Sequence, residues 1–366
     1  MSDAVNPPQA KPKKKTPDFG PEFLVSSAPH LSDSATTKRI MFEVVAAMIP
    51  LFLVSVYMYR MQAVVLTVVT VAGCLVAEAV ANWMRGRSQA SLSDGSAIVT
   101  GMILAFSLPA SISPYMAFIG GAIAIVLAKA VFGGLGQNLF NPAMVGRAFL
   151  MICFPAAMVA FSPTAPMRAG GVDAVTSPTP LYQAAKFAEN TKKAAVETDE
   201  VKKVAYAAKA EEIRGEMPGQ GALFVGNVSG CVGETSALAA LIGGLFLVIR
   251  RVADWRQPVG VLGSVVVFAV IAKLAGGESV QNPLFYLNSG ALMFGAFFIA
   301  TDYVGAPVNP TGRLIFGVGV GVLVMLIRLF GAYPEGFMFA ILIMNSLTPL
   351  IERWTVPTPF GGHVAN

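Results

Sequence analysis

The sequence predicts an all-α, polytopic membrane protein of about ten transmembrane helices, built as two inverted five-helix halves with one long extracytoplasmic loop. Three observations carry that class. Of the 366 residues, 55% are hydrophobic and only 13% charged, against about 25% charged in ordinary soluble domains. The mean hydropathy is +0.64. The apolar residues also gather into blocks long enough to cross a hydrocarbon core of about 30 Å. A net charge of +5 and a pI near 9.1 would suggest nucleic acid in a soluble chain. Here the basic residues flank apolar blocks, so membrane topology explains them and no nucleic-acid partner is expected.

Residues 1–38 are polar, proline-bearing and basic, with the run Lys11 to Lys15. They read as a disordered cytoplasmic tail without the apolar core of a cleaved signal. Apolar blocks follow at 40–59, 62–84, 96–113, 115–132 and 143–161, making a first half over 39–161. Further blocks at 235–250, 258–275, 288–302, 314–331 and 337–351 make a second half over 235–353, before a cytoplasmic tail at 354–366. The blocks near Ser96, Thr235 and Asn288 are short or glycine-interrupted, as cavity-lining helices are. Residues 162–234 are too polar to be embedded and hold the densest charge of the chain. Their middle, 183–212, is rich in Ala, Lys and Glu and reads as a solvated helix or mobile loop without a catalytic role.

Orientation follows from Lys and Arg in short loops. A cytoplasmic N-terminus puts Lys38, Arg39, Arg85, Arg87, Lys129, Arg250, Arg251, Arg256, Arg313 and Arg353 inside with the N-terminal run, and only Arg60, Lys273 and Arg328 outside. Both termini are then cytoplasmic and the 162–234 loop faces outward. The chain also resembles itself. The stretch from Asp94 through Phe106 parallels that from Asn288 through Ala300, and each leads through a break to an apolar block ending at Lys129-Ala-Val-Phe-Gly or Arg328-Leu-Phe-Gly. Five spans per half is an odd number, so the halves would insert with opposite topology and place sites between them.

Several residue groups could carry chemistry. The outer loop opens with Gly170-Gly-Val-Asp-Ala-Val-Thr-Ser-Pro-Thr-Pro-Leu. By composition Thr176-Ser-Pro-Thr-Pro is a proline-stiffened turn opening a helix, and Asp173 alone is a weak activator for a threonine nucleophile. In Phe132 to Gly146, glycines, Asn138, Asn141 and Pro142 stand beside a span, flanked by Lys129 and Arg147. Such backbone must face protein or a cavity. It is either an asparagine-capped turn with its charges at the interface, or a site whose amides meet a ligand edge. Glu78, inside the second span, and Asp94 and Asp302, at corresponding ends of short spans, are candidates for a cation or proton pathway, and the two aspartates are alternatively helix caps at the interface.

Other chemistry is excluded. Cys74, Cys153 and Cys231 are scattered, and His30 and His363 lie in polar termini, so no iron–sulfur, zinc, heme or histidine metal site is encoded. Leu139 stands where a dinucleotide fingerprint would need its third glycine after Gly134 and Gly136.

Asp173-x-x-Thr176-x-x-Thr179, followed by Pro180-Leu181, is similar to a motif at which a flavin transferase attaches FMN through its phosphate to the last threonine. Together with Asp94-Gly-Ser-Ala, 132–146, Gly233-Glu-Thr-Ser, Gly295 to Asp302, Tyr333-Pro-Glu-Gly and Asn345, it resembles the family that unites the D subunit of the Rnf complex with the B subunit of the sodium-pumping NADH:quinone reductase, over roughly 28–355. Pro178 stands where that motif usually has alanine, and Tyr303 where proline is common. The resemblance implies covalent FMN on Thr179, with Thr176 as competing acceptor and Asp173 in the motif. It also implies a noncovalent riboflavin in the membrane part, assigned to Lys129, Asn138 and Asn141. It further implies a prokaryotic cytoplasmic membrane and a complex moving electrons between ferredoxin and NAD, coupled to Na+ or H+. Partner subunits would supply iron–sulfur centres, nucleotide binding and a second tethered flavin. The alternatives are the quinone-reductase subunit, against which the short N-terminal tail argues, and a flavin-free channel or transporter.

Overall fold

The computed structural model describes residues 36–169, 176–331, 333 and 335–357. The N-terminal tail up to residue 35, the motif residue Asp173 and the last nine residues lie outside that set. The chain runs through α1 (Thr37–Tyr59), α2 (Met61–Met84), α3 (Ser96–Phe106), α4 (Pro114–Ile125) and α5 (Pro142–Cys153). The outer segment forms α6 (Pro180–Val196) and α7 (Glu200–Glu216), and the second half forms α8 (Ala237–Ile249), α9 (Arg256–Gly276), α10 (Pro310–Phe330) and α11 (Phe337–Trp354). No strand occurs among the described residues, only an isolated bridge between Pro109 and Cys231. α1, α2, α9 and α10 are long and apolar enough to cross a membrane, and α3, α4, α5 and α8 are shorter apolar helices. The protein is accordingly a helical, polytopic membrane protein.

Every apolar block read from the sequence carries helix, but two end early and one is broken. α3 stops at Phe106 rather than 113, because Pro109 cannot extend the ladder and restrains Leu108. Its free carbonyls are taken by a distant segment: Val232 N–H donates to Leu108 O at 3.0 Å and Gly233 N–H to Phe106 O at 2.7 Å. That exchange is what permits a broken helix at membrane depth. α5 stops at Cys153, just ahead of Pro155. The 288–302 block is not one helix: Pro283–Asn288 and Leu292–Phe294 lead into a π turn at Gly295–Ile299. The segment read as one solvated helix at 183–212 is two, with Asp199 accepting from Val201 N–H at 3.0 Å to start the second. α6 is not simply solvated either, since Leu181, Ala184 and Phe187 are buried.

The two halves repeat one packing. α2 lies on α4 through Gly73 and Gly121, where a Cβ on Gly121 would stand 2.5 Å from Thr70 O. α9 lies on α10 through Gly260, Gly317 and Gly321, where a Cβ on Gly317 would stand 2.6 Å from Gln257 O. Small residues let helix backbones approach closely where apolar burial gives no drive between helices. The end of each second partner then latches the broken helix of its own half. Lys129 Nζ donates to Ser96 Oγ at 2.6 Å, and Arg328 Nη2 donates to Ser289 O at 2.9 Å. Each latch falls beside a left-handed glycine, Gly95 at φ 83° or Gly290 at φ 68°, a conformation costly for residues with a Cβ.

Candidate functional site

Two polar sites lie between the halves, and α5 contributes to both. The inner pocket, a cavity of about 90 Å³, is lined by Ser96, Lys129, Asn138, Asn141, Phe298 and Asp302 among others. The three residues assigned from sequence to a noncovalent ligand are therefore brought together. Asn141 is the N-cap of α5, with Pro142 at the first helical position, and its Oδ1 accepts from Met144 N–H at 3.3 Å. Its Nδ2 donates to Asp302 Oδ2 at 3.2 Å, which joins the halves. With its amide oriented to donate to Ile341 O, Asn345 accepts from Asn141 N–H at 2.9 Å. Asn138 Nδ2 donates to Phe140 O at 3.2 Å.

Lys129 corrects one expectation. It is not an interfacial loop charge but is 4% exposed, carried on a π turn at Val126–Ala130 and paired with Glu78 Oε1 at 2.7 Å. Arg147 and Arg328, also read as interface or loop charges, are buried too. A charge in such surroundings must be paired to be tolerated. Asp94 acts as a cap, accepting from Ser96 N–H at 2.8 Å.

The outer pocket, a cavity of about 60 Å³, is lined by Arg147, Thr179, Leu181, Glu234, Tyr333 and Glu335 among others. Arg147 lies six residues beyond Asn141 on α5, about 9 Å along the axis at 1.5 Å per residue. Its Nη2 donates to Glu335 Oε2 at 2.6 Å and to Cys231 Sγ at 3.5 Å, and stands 3.7 Å from Glu234 Oε1. Glu335 Oε1 accepts from Ala291 N–H at 2.8 Å. Arg147 Nε and Glu234 Oε1 have no hydrogen-bond partner among the described residues. Unpaired buried polar atoms cost about 1–3 kcal/mol each, so this pocket keeps donor and acceptor capacity in reserve. Spacing in the sequence does not reveal the Arg147 cluster as a functional group, since its members come from three separate segments. The available signal was a lone ionisable residue in each apolar surround.

Thr179 sits at the mouth of this pocket as N-cap of α6, its Oγ1 accepting from Tyr182 N–H at 3.2 Å. Pro180 occupies the first helical position, where its missing N–H costs nothing. Thr176 is exposed and does not line the pocket. Ser177 N–H donates to Phe161 O at 2.9 Å and ties this stretch to the end of the first half.

The fold and these polar sites define an integral membrane protein with two pockets that join residues distant in sequence. The chain belongs to the NQR2, RnfD, RnfE family, whose model matches residues 24–361. It is 37% identical over 339 residues to the D subunit of the proton-translocating ferredoxin:NAD(+) oxidoreductase complex of Clostridium ljungdahlii, covering 93% of this chain and 96% of the relative. It is 37% identical over 343 residues to the D subunit of the Na(+)-translocating ferredoxin:NAD(+) oxidoreductase complex of Acetobacterium woodii, covering 93% and 95%. The D subunit of an ion-translocating oxidoreductase complex of Aeromonas hydrophila is 36% identical over 349 residues, covering 93% and 99%.

Proposed function

We propose that this chain is the electron-carrying D subunit of an ion-translocating ferredoxin:NAD+ oxidoreductase complex of a prokaryotic cytoplasmic membrane, with FMN bound covalently to Thr179 and a noncovalent riboflavin in the inner pocket. When bound, a flavin takes up and releases one or two electrons together with protons. The observation that carries the reading is the placement of Thr179 rather than Thr176 at the opening of a pocket that reaches Arg147.

The residues fit such a group. An esterified Thr179 keeps its phosphate at the N-terminus of the 17-residue α6, where helix dipole and free N–H groups favour an anion. The tether holds its ring at high effective concentration near the outer pocket. Arg147 Nε and Glu234 Oε1 offer the unpaired polar atoms there. Asn138, Asn141 and Lys129 supply the polar edge of the inner pocket. The remaining subunits would bring iron–sulfur centres, nucleotide binding and a second tethered flavin. A flavin transferase matures the chain, and Na+ or H+ crosses the complex. The relatives described above are all D subunits, which favours this reading over the quinone-reductase subunit.

The test is ultraviolet fluorescence of the protein on a denaturing gel, coexpressed with a competent transferase, beside Thr179→Ala and Thr176→Ala, with peptide mass analysis for FMN less one water. Fluorescence lost only in Thr179→Ala supports the anchor. A dark wild type would mean that Pro178 defeats the transferase and would move the transporter reading to the front.

A further inference from the structure

The inner pocket adjoins a second cavity, and Lys129 is the charged side chain that lines both, beside Leu135. This vestibule is lined by Glu78, Asn82, Arg85, Arg87, Ser91 and Lys129 among others. Lys129 lines both cavities, Glu78 and Ser91 only the vestibule, and Ser96 only the inner pocket. The hydrogen bonds run through the same residues: Ser91 Oγ donates to Glu78 Oε1 at 3.1 Å, Lys129 Nζ to Glu78 Oε1 at 2.7 Å, and Lys129 Nζ to Ser96 Oγ at 2.6 Å. Asn82 Nδ2 extends the chain by donating to Ser91 Oγ at 2.8 Å.

Two features set this apart from an ion pair that only joins helices. Glu78 Oε2 is buried without a hydrogen-bond partner among the described residues, so the carboxyl keeps an oxygen able to take a proton. Lys129 also sits on a π turn, a local departure from α geometry that is found mostly at functional sites. The charged and titratable groups around it are Glu78 and Cys74 from α2, Asp94 behind Ser96, Arg85 and Arg87 of the vestibule, and Asp302 across the pocket.

We propose that Lys129 is a proton-transfer residue connecting the vestibule to the carrier held in the inner pocket, with Glu78 behind it and Ser96 ahead. The inference rests on the reading of that pocket as a flavin site. The ammonium group of Lys129 gives one proton to Ser96 Oγ, and the Ser96 hydroxyl, which in the resting arrangement donates to Asp94 Oδ1 at 2.6 Å, turns to pass its own proton into the pocket. The Glu78 carboxylate takes a proton from vestibule water and hands it to the neutral amine, which restores the ion pair. The net movement is one proton from vestibule to pocket, accompanying electrons that arrive from the other carriers of the complex.

The experiment uses the intact purified complex with Lys129→Ala and Lys129→Arg. Acid-released flavin is quantified first, and the rate of flavin reduction is then followed by stopped flow with and without methylamine. The expected result is reduction at least tenfold slower in both variants, counted per noncovalent flavin retained. Arginine keeps the charge and the pair with Glu78 but does not release its proton. Methylamine entering by the vestibule restores Lys129→Ala and leaves Lys129→Arg slow. Lys129→Arg at the wild-type rate, or an assembled Lys129→Ala that ignores methylamine, overturns the relay while the flavin reading stands. A wild-type complex that releases no noncovalent flavin overturns the reading, and the relay with it. Should Lys129→Ala fail to assemble, Lys129→Arg decides alone.

Discussion

Arg147 on α5 donates to Glu335, ahead of α11, at 2.6 Å across 188 positions of sequence. It thereby fastens the first half of the molecule to the second beneath the pocket that Thr179 opens. Arg147→Met leaves two buried carboxyls unpaired, which costs about 3–5 kcal/mol when one partner of such a pair is removed. The expected outcome is a lower thermal unfolding midpoint in detergent, partly recovered in the double variant Arg147→Met with Glu335→Gln. Independent, additive losses would show that the pair does not couple the halves.

Thr179 has two separable duties, capping α6 and presenting a hydroxyl. Thr179→Asn keeps a capping side chain but offers no hydroxyl, so it is expected to lose gel fluorescence while amide exchange in α6 stays slow. Thr179→Ala loses both, at a capping cost of about 0.5–2 kcal/mol, and its α6 amides exchange faster. Retained fluorescence in either variant would move the attachment to another residue.

The glycines between α9 and α10 are contact points, not hinges. Gly317→Val drives a Cβ to 2.6 Å from Gln257 O, and overpacking of this kind costs about 1–3 kcal/mol or more. Gly263, also on α9, has nothing within 4 Å of its Cβ position. Gly263→Ala is therefore expected to leave the unfolding midpoint unchanged or raise it slightly. Equal effects of the two substitutions would contradict this packing.

In the outer segment, the Lys186 ammonium and then that of Lys193 hold the Glu189 carboxyl below its ordinary 4.5, at about 2. A depressed carboxyl pKa contributes stability that is present above 4.5 and is lost as pH falls toward 2. All three side chains are well exposed, so screening limits the effect to about 0.3–0.5 kcal/mol per pair. The difference in α6 stability between wild type and Glu189→Gln should shrink from pH 6 to pH 2 and with added salt. A difference that is constant across that range would rule out the pair as its source.

Much of the scaffold was legible because membrane insertion is read from composition. Each apolar block carries helix, and Pro142 after Asn141 and Pro180 after Thr179 mark real helix starts. The errors fall where backbone is satisfied from far away. Nothing local to Phe106 or Leu108 announces that residues 232 and 233 would take their carbonyls. Lys129 and Arg328 read as loop charges in the sequence because a charge at the edge of an apolar block ordinarily snorkels to the interface. Here each turns inward to hold a broken helix.

By itself, then, the sequence determined a helical membrane protein, the helix starts at Pro142 and Pro180, and the family resemblance. Only tertiary structure decided that Lys129 meets Glu78 at a separation of 51 residues and that Arg147 meets Glu335. The physical reason is that a buried charge demands a partner but does not name one. Sequence supplies the demand, and the close approach of helices across glycine contacts chooses which opposite charge lies within reach.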